Sequence, residues 1–309
     1  MDTAFELDSE NKLFRYVARQ PILGADKKIF GYELLFRSGI ENFFECKDKN
    51  NASRSVIDQS SLHGFDVLCN SRYAFMNCTR ETLLGDYIYL LPPARVVVEV
   101  LEDVTPCDSV RQACTRLKDA GYRIALDDFL LNDPRDCLTD LADFLKVDLT
   151  LVSHDDALTL VDRYRGQRCQ LLAEKVETWQ DFALMMDFGF TLFQGYFFRK
   201  PEMMRTRRVL SNRKVYHRLL LAVSRPQIDW KEVEDTLAMD ATLCYRLLRY
   251  LNSAAFGFHN EVHSLRHAFV ILGEDAMIRW CRLAAVLEMS QKSPCDLTLS
   301  ALIRARFGE

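Results

Sequence analysis

The sequence lacks the features that mark membrane, secreted and duplex-binding proteins. No apolar run approaches the roughly 18 residues that cross a bilayer, and the first residues, MDTAFELDSENK, carry acidic groups where a secretory signal would be basic. A net charge of −4 and a pI near 5.9 give no electrostatic footprint for duplex nucleic acid, which favours a domain pI above about 9. We therefore expect a cytoplasmic protein that binds neither membrane nor duplex nucleic acid.

A disulfide framework is also missing, although the chain has 10 cysteines. They scatter from Cys46 to Cys295 with no Cys-x-x-Cys pair and no export signal, so we expect reduced thiols packed in apolar surroundings. The chain has 309 residues and is 49% hydrophobic, which is enough for one barrel-sized domain and a smaller one.

Strand-like and helical runs alternate over the first two thirds of the chain. The first two strand-like runs, 16–22 and 29–36, are joined by a connector too short for a parallel crossover, so these strands must be antiparallel. Six further runs lie near residues 73–77, 95–100, 122–128, 144–148, 170–174 and 190–194. This rhythm predicts an α/β fold, a TIM-like (β/α)8 barrel with an antiparallel first strand.

The pattern changes after Gln194. Residues 199–212 are rich in basic side chains and predict a linker or a bridging helix, and apolar residues then recur at helical spacing. We predict an N-terminal tail (1–12), the barrel domain (13–201), a linker (202–212) and an all-helical domain (213–309). The last helical pattern stops at Gly308 and Glu309 without partners downstream, which suggests that the natural sequence continues.

Polar side chains stand at the ends of the strand-like runs, and they converge only if the runs form one barrel. They are Gln20, Glu33, Asn77, Glu99, Asp127, Asp128, Lys146, Glu174 and Gln194. Four of them offer the carboxylate or amide oxygens that a hard cation prefers: Glu33, Asn77, Glu99 and Asp127. Such donors suit Mg²⁺ or Mn²⁺ better than zinc, since no nearby His or Cys set has zinc spacing.

Asp127 and Asp128 are adjacent acids. Because neighbouring strand residues alternate faces, both reach one site only where the pleat breaks at the carboxyl end of the strand. A carboxylate pair of this kind is able to bridge two metal ions about 3.5 to 4 Å apart and to activate a water for in-line attack on a phosphodiester. Lys146 would orient that water or neutralise the developing charge.

Eight motifs, in order, resemble the EAL domain family over about residues 13–201. They are Ala18-Arg-Gln-Pro-Ile22, Tyr32-Glu-Leu-Leu-Phe-Arg37, Phe75-Met-Asn77, Val98-Glu-Val-Leu-Glu102, Ala125-Leu-Asp-Asp-Phe129, Leu145-Lys-Val-Asp148, Ala173-Glu-Lys-Val-Glu177 and Gln194-Gly-Tyr196. The resemblance implies a barrel with a reversed first strand, which agrees with the hairpin argument. It also implies that two Mg²⁺ or Mn²⁺ ions support hydrolysis of cyclic di-GMP to linear pGpG.

The resemblance assigns a role to each matching residue. It implies that the metal ligands are Glu33, Asn77, Glu99 and Asp127, and that Asp128 is shared with the second metal. Lys146 and Glu174 match the residues that position the catalytic water. The positions that hold or support the dinucleotide are matched by Gln20, Arg37, Asp148, Glu177 and Gln194. Arg37 makes physical sense as a fork for phosphate.

The chain departs from the family pattern in three places. Residues 33–35 read Glu-Leu-Leu rather than Glu-Ala-Leu, and Lys175 stands where glycine is usual. The segment 129–135, FLLNDPR, replaces the glycine- and serine-rich loop that normally follows the two aspartates. In the family that loop supports metal binding and dimer contacts, together with a glutamate that matches Glu102. We therefore expect catalysis that is slower or conditional, and the question of a homodimer stays open.

Two C-terminal motifs resemble the first part of an HDOD domain. They are Leu247-Leu-Arg-Tyr-Leu-Asn-Ser-Ala-Ala-Phe-Gly257 and Ser264-Leu-Arg-His-Ala-Phe-Val-Ile-Leu-Gly273. This helical family lacks the metal dyad of HD phosphohydrolases, so the resemblance implies regulation or binding of a protein partner. His263 and His267 would share a helix face if the helix began that early, but we interpret them as surface or interface histidines.

Three functions are compatible with these residues. We favour a metal-dependent cyclic di-GMP phosphodiesterase with a helical regulatory domain, because a pure binding module has no need to keep Lys146, Glu174 and both aspartates. The altered loop motivates an alternative, a receptor that binds cyclic di-GMP without hydrolysing it. A third hypothesis is a protein-interaction scaffold whose barrel site is vestigial.

Overall fold

The computed structural model describes residues 14–37, 49–63, 68–85, 87–198, 201–207, 212–252 and 262–290. Backbone contacts divide the chain into two compact units. The barrel unit comprises residues 1–56, 65–85 and 93–207, and the helical unit comprises residues 57–64, 86–92 and 208–309. In the described ranges, no helix combines the length and the apolar character that a membrane span requires.

The strands of the barrel unit form one sheet that closes on itself. They are β1 (Phe14–Gly24), β2 (Ile29–Arg37), β3 (Tyr73–Cys78), β4 (Val96–Val100), β5 (Arg123–Leu126), β6 (Phe144–Asp148), β7 (Gln170–Glu174), β8 (Leu192–Phe193) and β9 (Glu202–Arg207). From β2 to β8, each strand runs parallel to the next one in chain order. β1 closes the barrel by pairing antiparallel with both β2 and β8. The predicted barrel with an antiparallel first strand is confirmed.

The reversal of β1 depends on a short turn between β1 and β2. Lys27 adopts a left-handed backbone with φ of 61°, and its amide donates to the carbonyl oxygen of Gly24 at 2.9 Å. The Asp26 carboxylate accepts from the amide of Lys28 at 3.0 Å. A turn of this size joins antiparallel strands and is too short for the crossover that parallel strands need.

Helices cover the barrel and build the second unit. In chain order they are α1 (Lys49–His63), α2 (Arg80–Leu84), α3 (Asp108–Asp119), α4 (His154–Tyr164), α5 (Trp179–Phe188), α6 (Arg213–Ala222), α7 (Trp230–Ala238), α8 (Ala241–Leu251), α9 (Leu265–Leu272) and α10 (Glu274–Ser290). Side chains that accept from backbone amides begin most of them, as Ser153 does for α4 and Thr178 for α5. The connection from β5 to β6 has a short 3₁₀ turn, Pro134–Leu138, instead of an α-helix.

The segment expected as a linker or a bridging helix contains β9. This strand pairs antiparallel with the first half of β1, and the Arg19 guanidinium forms an ion pair with the Glu202 carboxylate at 3.0 Å. The sequence of β9, EMMRTR, carries weak strand propensity, so its pairing with a preformed strand determines its conformation.

The helical unit contains α6 to α10, and the prediction of an all-helical second domain is confirmed. A buried ion pair lies in this unit, between Arg246 on α8 and Asp58 on α1, with 2.6 Å between nitrogen and oxygen. The helix α9 begins at Leu265 behind the N-cap residue Ser264. His263 therefore precedes the helix, and the condition for sharing a helix face with His267 is not met.

Candidate active site at the barrel mouth

The barrel is filled by an apolar layer that lies one step below the polar residues. This layer takes one residue from each of seven strands: Ile22, Phe75, Val97, Ala125, Phe144, Leu172 and Leu192. Side chains two positions apart on a strand share a face. The residues two positions further toward the carboxyl ends of β3 to β8 are therefore brought to one opening: Asn77, Glu99, Asp127, Lys146, Glu174 and Gln194. Gln20 lies two positions before Ile22, as the reversed direction of β1 requires.

Lys146 is the centre of this ring. Its ammonium nitrogen lies 2.8 Å from Glu99 Oε1, 2.7 Å from Asp127 Oδ1 and 3.0 Å from Glu174 Oε1. Glu33 Oε2 is 4.0 Å away. Burial alone would lower the pKa of Lys146, but these surrounding carboxylates raise it well above its ordinary value, so the side chain stays charged.

The first ligand candidate, Glu33, is held by two side-chain amides. Asn77 Nδ2 donates to Glu33 Oε1 at 3.1 Å, and Gln194 Nε2 donates to Glu33 Oε2 at 2.6 Å. Across the β1–β2 pair Gln20 lies opposite Glu33, and across the β3–β4 pair Asn77 lies opposite Glu99. The strand register therefore brings these polar residues to the same level of the barrel. Glu33 is therefore fixed in orientation before any ligand arrives.

Asp127 and Asp128 both reach the opening because strand β5 ends just before them, so they need not point to opposite faces of the sheet. β5 ends at Leu126, and Asp128 adopts a left-handed backbone with φ of 45°. A residue with a β-carbon is uncommon in that conformation, which is typical of functional sites. One carboxylate oxygen each from Asp127, Asp128 and Glu174 lie within 4.8 Å of one another, a spacing that would allow all three to bind one metal ion.

Burial and the close approach of several carboxylates raise the pKa values of three acids of the site. Burial, and then repulsion from Asp127 and Glu33, raises the pKa of Glu174 to about 8 despite the nearby Lys146. Burial and repulsion from Asp127 and Asp148 raise the pKa of Asp128 to about 6. Burial raises the pKa of Glu99 well above its usual range. Such shifts favour binding of a cation that would replace the protons.

Unsatisfied oxygens show that the donor set fits a divalent metal ion. Among the described residues, Asn77 Oδ1 and Glu99 Oε2 are buried and have no hydrogen-bond partner. Glu99 Oε1 lies 2.8 Å from the Lys146 ammonium, whereas the described residues offer no hydrogen-bond partner to Oε2. A buried oxygen without a partner is costly and calls for an explanation. An oxygen-coordinated divalent cation supplies one.

A cavity of about 310 Å³ opens above these groups. Besides the acids and Lys146, its lining includes Gln20, Lys175, Glu177, Gln194 and Tyr196. Tyr196 has 60% of its side chain exposed and lies next to Gln194 and Gly195 on the wall. The acids and Lys146 form the bottom of this cavity, which we call the floor, and the polar and aromatic residues form its walls. An anionic ligand that binds through metal ions would need both.

Three residues of the predicted set lie differently. The Arg37 side chain is outside the part that the structure describes. Glu102 pairs with Lys49 at 3.2 Å and is largely exposed. Asp148 is buried, and its Oδ1 accepts from the amide and the hydroxyl of Thr150 at 2.8 and 2.7 Å.

Sequence reasoning missed one structural residue of the site, Arg135. Its guanidinium is buried, pairs with Asp133 at 2.6 Å, and donates to the backbone carbonyls of Val100 and Asp127 at 2.9 and 2.7 Å. These carbonyls belong to the ends of the segments that carry Glu99 and Asp127. Only its place in the unusual segment 129–135 singled it out, since an arginine in a polar loop is normally exposed.

Comparison with known proteins decides the family. The EAL domain model matches residues 74–201, and the HDOD domain model matches residues 210–305. The chain is 36% identical over 297 residues to the cyclic di-GMP phosphodiesterase CdgJ of Vibrio cholerae, an alignment that covers 94% of this chain and 68% of CdgJ. The chain belongs to the EAL–HDOD family. The EAL–HDOD protein is also 31% identical to YuxH of Bacillus subtilis, over 95% of this chain and 74% of YuxH.

Solved structures agree with the barrel of the EAL–HDOD protein. BlrP1 of Klebsiella pneumoniae, in a manganese and cyclic di-GMP complex, is similar with a TM-score of 0.51 and 22% identity over 63% of this chain and 59% of that chain. The EAL enzyme Bd1971, in its form with cAMP and cyclic di-GMP, has a TM-score of 0.51 and 18% identity over 65% of each chain. At these identities the likeness concerns the fold.

Proposed function

We propose that the EAL–HDOD protein is a metal-dependent phosphodiesterase that hydrolyses cyclic di-GMP to pGpG. The observation that carries this proposal is the meeting of four carboxylates from different strands around Lys146, with buried oxygens of Asn77 and Glu99 left without hydrogen-bond partners. A receptor would need the walls of the cavity, but it would not need this charged and unsatisfied floor. We further propose a cytoplasmic location for this enzyme, as expected from the sequence.

The floor residues are proposed to hold Mg²⁺ or Mn²⁺. Glu33, Asn77, Glu99 and Asp127 would provide the first set of ligands, and Asp128 and Glu174 would add oxygens on the other side of Asp127. When bound, the metal supplies an activated water for in-line attack and stabilises charge on the phosphoryl oxygens.

The remaining residues bind, orient and exchange protons. Lys146 keeps Asp127 and Glu174 in place and offers positive charge beside the phosphoryl group that is attacked. Glu174, which lies 3.0 Å from the Lys146 ammonium, is proposed to position the attacking water together with Lys146. Gln194 fixes Glu33 through the 2.6 Å hydrogen bond.

The walls are proposed to hold the dinucleotide. Glu177 has a carboxylate able to accept from the two neighbouring N–H groups of a guanine edge, and Gln20 is a further polar group of the cavity lining. Asp148 is proposed to support the ligand indirectly, through its ion pair with Lys175. Tyr196 offers a ring on which a base would stack. Arg37 is proposed to contact a phosphate.

Product analysis tests the activity. Purified protein is incubated with cyclic di-GMP and Mn²⁺ or Mg²⁺, and the nucleotides are separated by chromatography. We expect pGpG from the wild type and none above background from Glu33→Ala. Glu202→Ala, on β9, is a matched control because this carboxylate binds Arg19 rather than the site. Micromolar binding without turnover would select the receptor hypothesis instead.

The helical unit is proposed to regulate the barrel or to bind a protein partner. In support, a groove of about 490 Å³ between α7 and α9 is lined by Trp230, Phe269 and Val270, and Val270 is 78% exposed. Phosphodiesterase activity with and without Trp230→Ala tests the regulatory part of this proposal, because Trp230 is remote in sequence from every floor residue. An unchanged rate and an unchanged response to ligand would argue against it.

A further inference from the structure

Lys175 occupies a backbone conformation that a side chain disfavours. It directly follows Glu174 at the end of β7 and has a φ of 54°. Left-handed backbone is less favourable for a residue with a β-carbon than for glycine. A lysine at such a position therefore needs a contact that offsets the strain.

The contact is an ion pair with Asp148. The Lys175 ammonium binds Asp148 Oδ2, while Asp148 Oδ1 accepts from Thr150. The Asp148 side chain is only 1% exposed, so both of its oxygens are engaged by groups of this chain. A divalent ion would have to displace Lys175 before it could use Oδ2.

Lys175 is also the accessible cation of the cavity. Of the two lysines in the lining, Lys146 is 1% exposed and held by the surrounding acids, whereas Lys175 is 58% exposed. The side of the mouth that Lys175 occupies is acidic: Asp148 binds its ammonium, and the charges of Asp128 and Glu174 act on it as well. This is the side on which Asp128 and Glu174 would add oxygens for a further metal ion under the proposed function.

We propose that Lys175 is a tethered cation that takes the place of the second divalent ion on the Asp128–Asp148 side of the mouth. The proposal rests on the proposed metal site of the barrel. Its consequence is that the chain binds one divalent ion tightly, through the side formed by Glu33, Asn77 and Glu99. The single charge of the ammonium then contacts a phosphate oxygen of the ligand where a second metal ion would otherwise lie.

Manganese stoichiometry tests this directly. Titration of the full chain with Mn²⁺, followed by electron paramagnetic resonance of the free ion, is expected to give one tight site for the wild type. Lys175→Gly and Lys175→Gln are expected to give two sites, with the Kd of the second lowered at least about tenfold. Gln removes the charge and Gly removes both charge and strain, so agreement between them assigns the effect to charge.

Lys27→Gly is the matched control. Lys27 has a similar φ of 61° but lies in the β1–β2 turn outside the cavity lining, so its replacement relieves similar strain without touching the site. We expect it to keep one tight site. Two equal sites in the wild type, or one site in both Lys175 variants, would overturn the inference.

The readout separates this inference from the proposed function. Mn²⁺ stoichiometry is measured without nucleotide, so a chain with one site that releases no pGpG would keep the role of Lys175 and lose the proposed activity. A chain that forms pGpG with two equal sites would keep the activity and lose the role of Lys175. Absence of Mn²⁺ binding in every variant would overturn both.

Discussion

The guanidinium of Arg135 donates a hydrogen bond to the backbone carbonyl oxygen of Asp127, with 2.7 Å between Nη2 and the oxygen. Nη1 donates to the carbonyl of Val100 at 2.9 Å, and Asp133 holds the guanidinium from the other side. One buried cation thus joins the ends of the two neighbouring segments that carry Glu99 and Asp127. The unusual segment 129–135 thereby gives the site a support of its own.

Replacing Arg135 by Leu is expected to loosen the site. The change leaves Asp133 buried without its partner, so we expect the free energy of unfolding in urea to fall by about 3 to 5 kcal/mol. Mn²⁺ affinity should fall by about 10- to 100-fold, because the positions of Glu99 and Asp127 are no longer fixed. Arg111→Leu is the control, since its pair with Asp140 is exposed on both sides and its loss should leave the free energy of unfolding nearly unchanged. Equal losses in the two variants would contradict the assigned role.

Replacing Lys146 by Met is expected to make stability depend strongly on pH. Without the ammonium, the buried carboxylates of Glu99 and Glu174 lose their counter-charge, and they are tolerated only when protonated. We expect a destabilisation of about 3 to 5 kcal/mol at pH 8 and a clearly smaller one at pH 5.5, measured by urea unfolding without metal. A loss that is the same at both pH values would show that Lys146 contributes through packing alone.

The raised pKa of Glu174 predicts how the metal-free protein responds to pH. The folded pKa is about 8, and the ordinary value is 4.5, so the folded state binds more protons than the unfolded state between these values. Stability is therefore highest at the acidic end of this window and falls as the pH rises from about 5 to 8. Thermal unfolding across this range, in the presence of a chelator, measures the slope. Glu174→Gln should flatten it, and an unchanged slope in that variant would assign the effect to other groups.

The same protons should leave when a metal ion binds. Glu174, with a pKa of about 8, is largely protonated near pH 6 to 7, and a cation bound beside it favours its ionised form. Mn²⁺ affinity should accordingly rise with pH from 6 to 8. Titration calorimetry in two buffers of different ionisation enthalpy gives the number of protons released. No proton release at pH 6.5 would contradict a metal site next to Glu174.

A buried arginine of the helical unit, Arg246, is expected to stabilise this unit through its ion pairs. Arg246 has 4% of its side chain exposed and lies 2.6 Å from Asp58 and 3.6 Å from Glu288. We expect Arg246→Leu to lower the free energy of unfolding of this unit by about 3 to 5 kcal/mol, because the change removes a buried cation from its ion pairs with Asp58 and Glu288. Arg225→Leu, which breaks an exposed pair with Glu232, should cost less than about 1 kcal/mol.

Much of the barrel could be predicted from the sequence because its signals are local. The short connector around Lys27 required an antiparallel first pair, and the run that forms β4 is apolar on both faces, as is typical of a buried parallel strand. The polar residue at each strand end followed from the two-residue period above the apolar layer. These arguments need only the spacing along the chain.

The rest could not be predicted because it depends on contacts between distant segments. β9 forms only because β1 offers an edge, and the burial of Arg135 depends on the carbonyls of Val100 and Asp127. Lys175 was noted as a departure from glycine, but its pairing with Asp148 requires the ends of β6 and β7 to be in register. No local pattern in the sequence reports these pairings.

The most direct test of the account is the product of cyclic di-GMP incubated with the full chain and Mn²⁺ at pH 8. We expect pGpG to accumulate with the wild type, to disappear when a chelator is added, and to be absent with Glu33→Ala while Glu202→Ala retains activity. Recovery of intact cyclic di-GMP from a folded wild-type protein that binds Mn²⁺ would contradict the proposed phosphodiesterase.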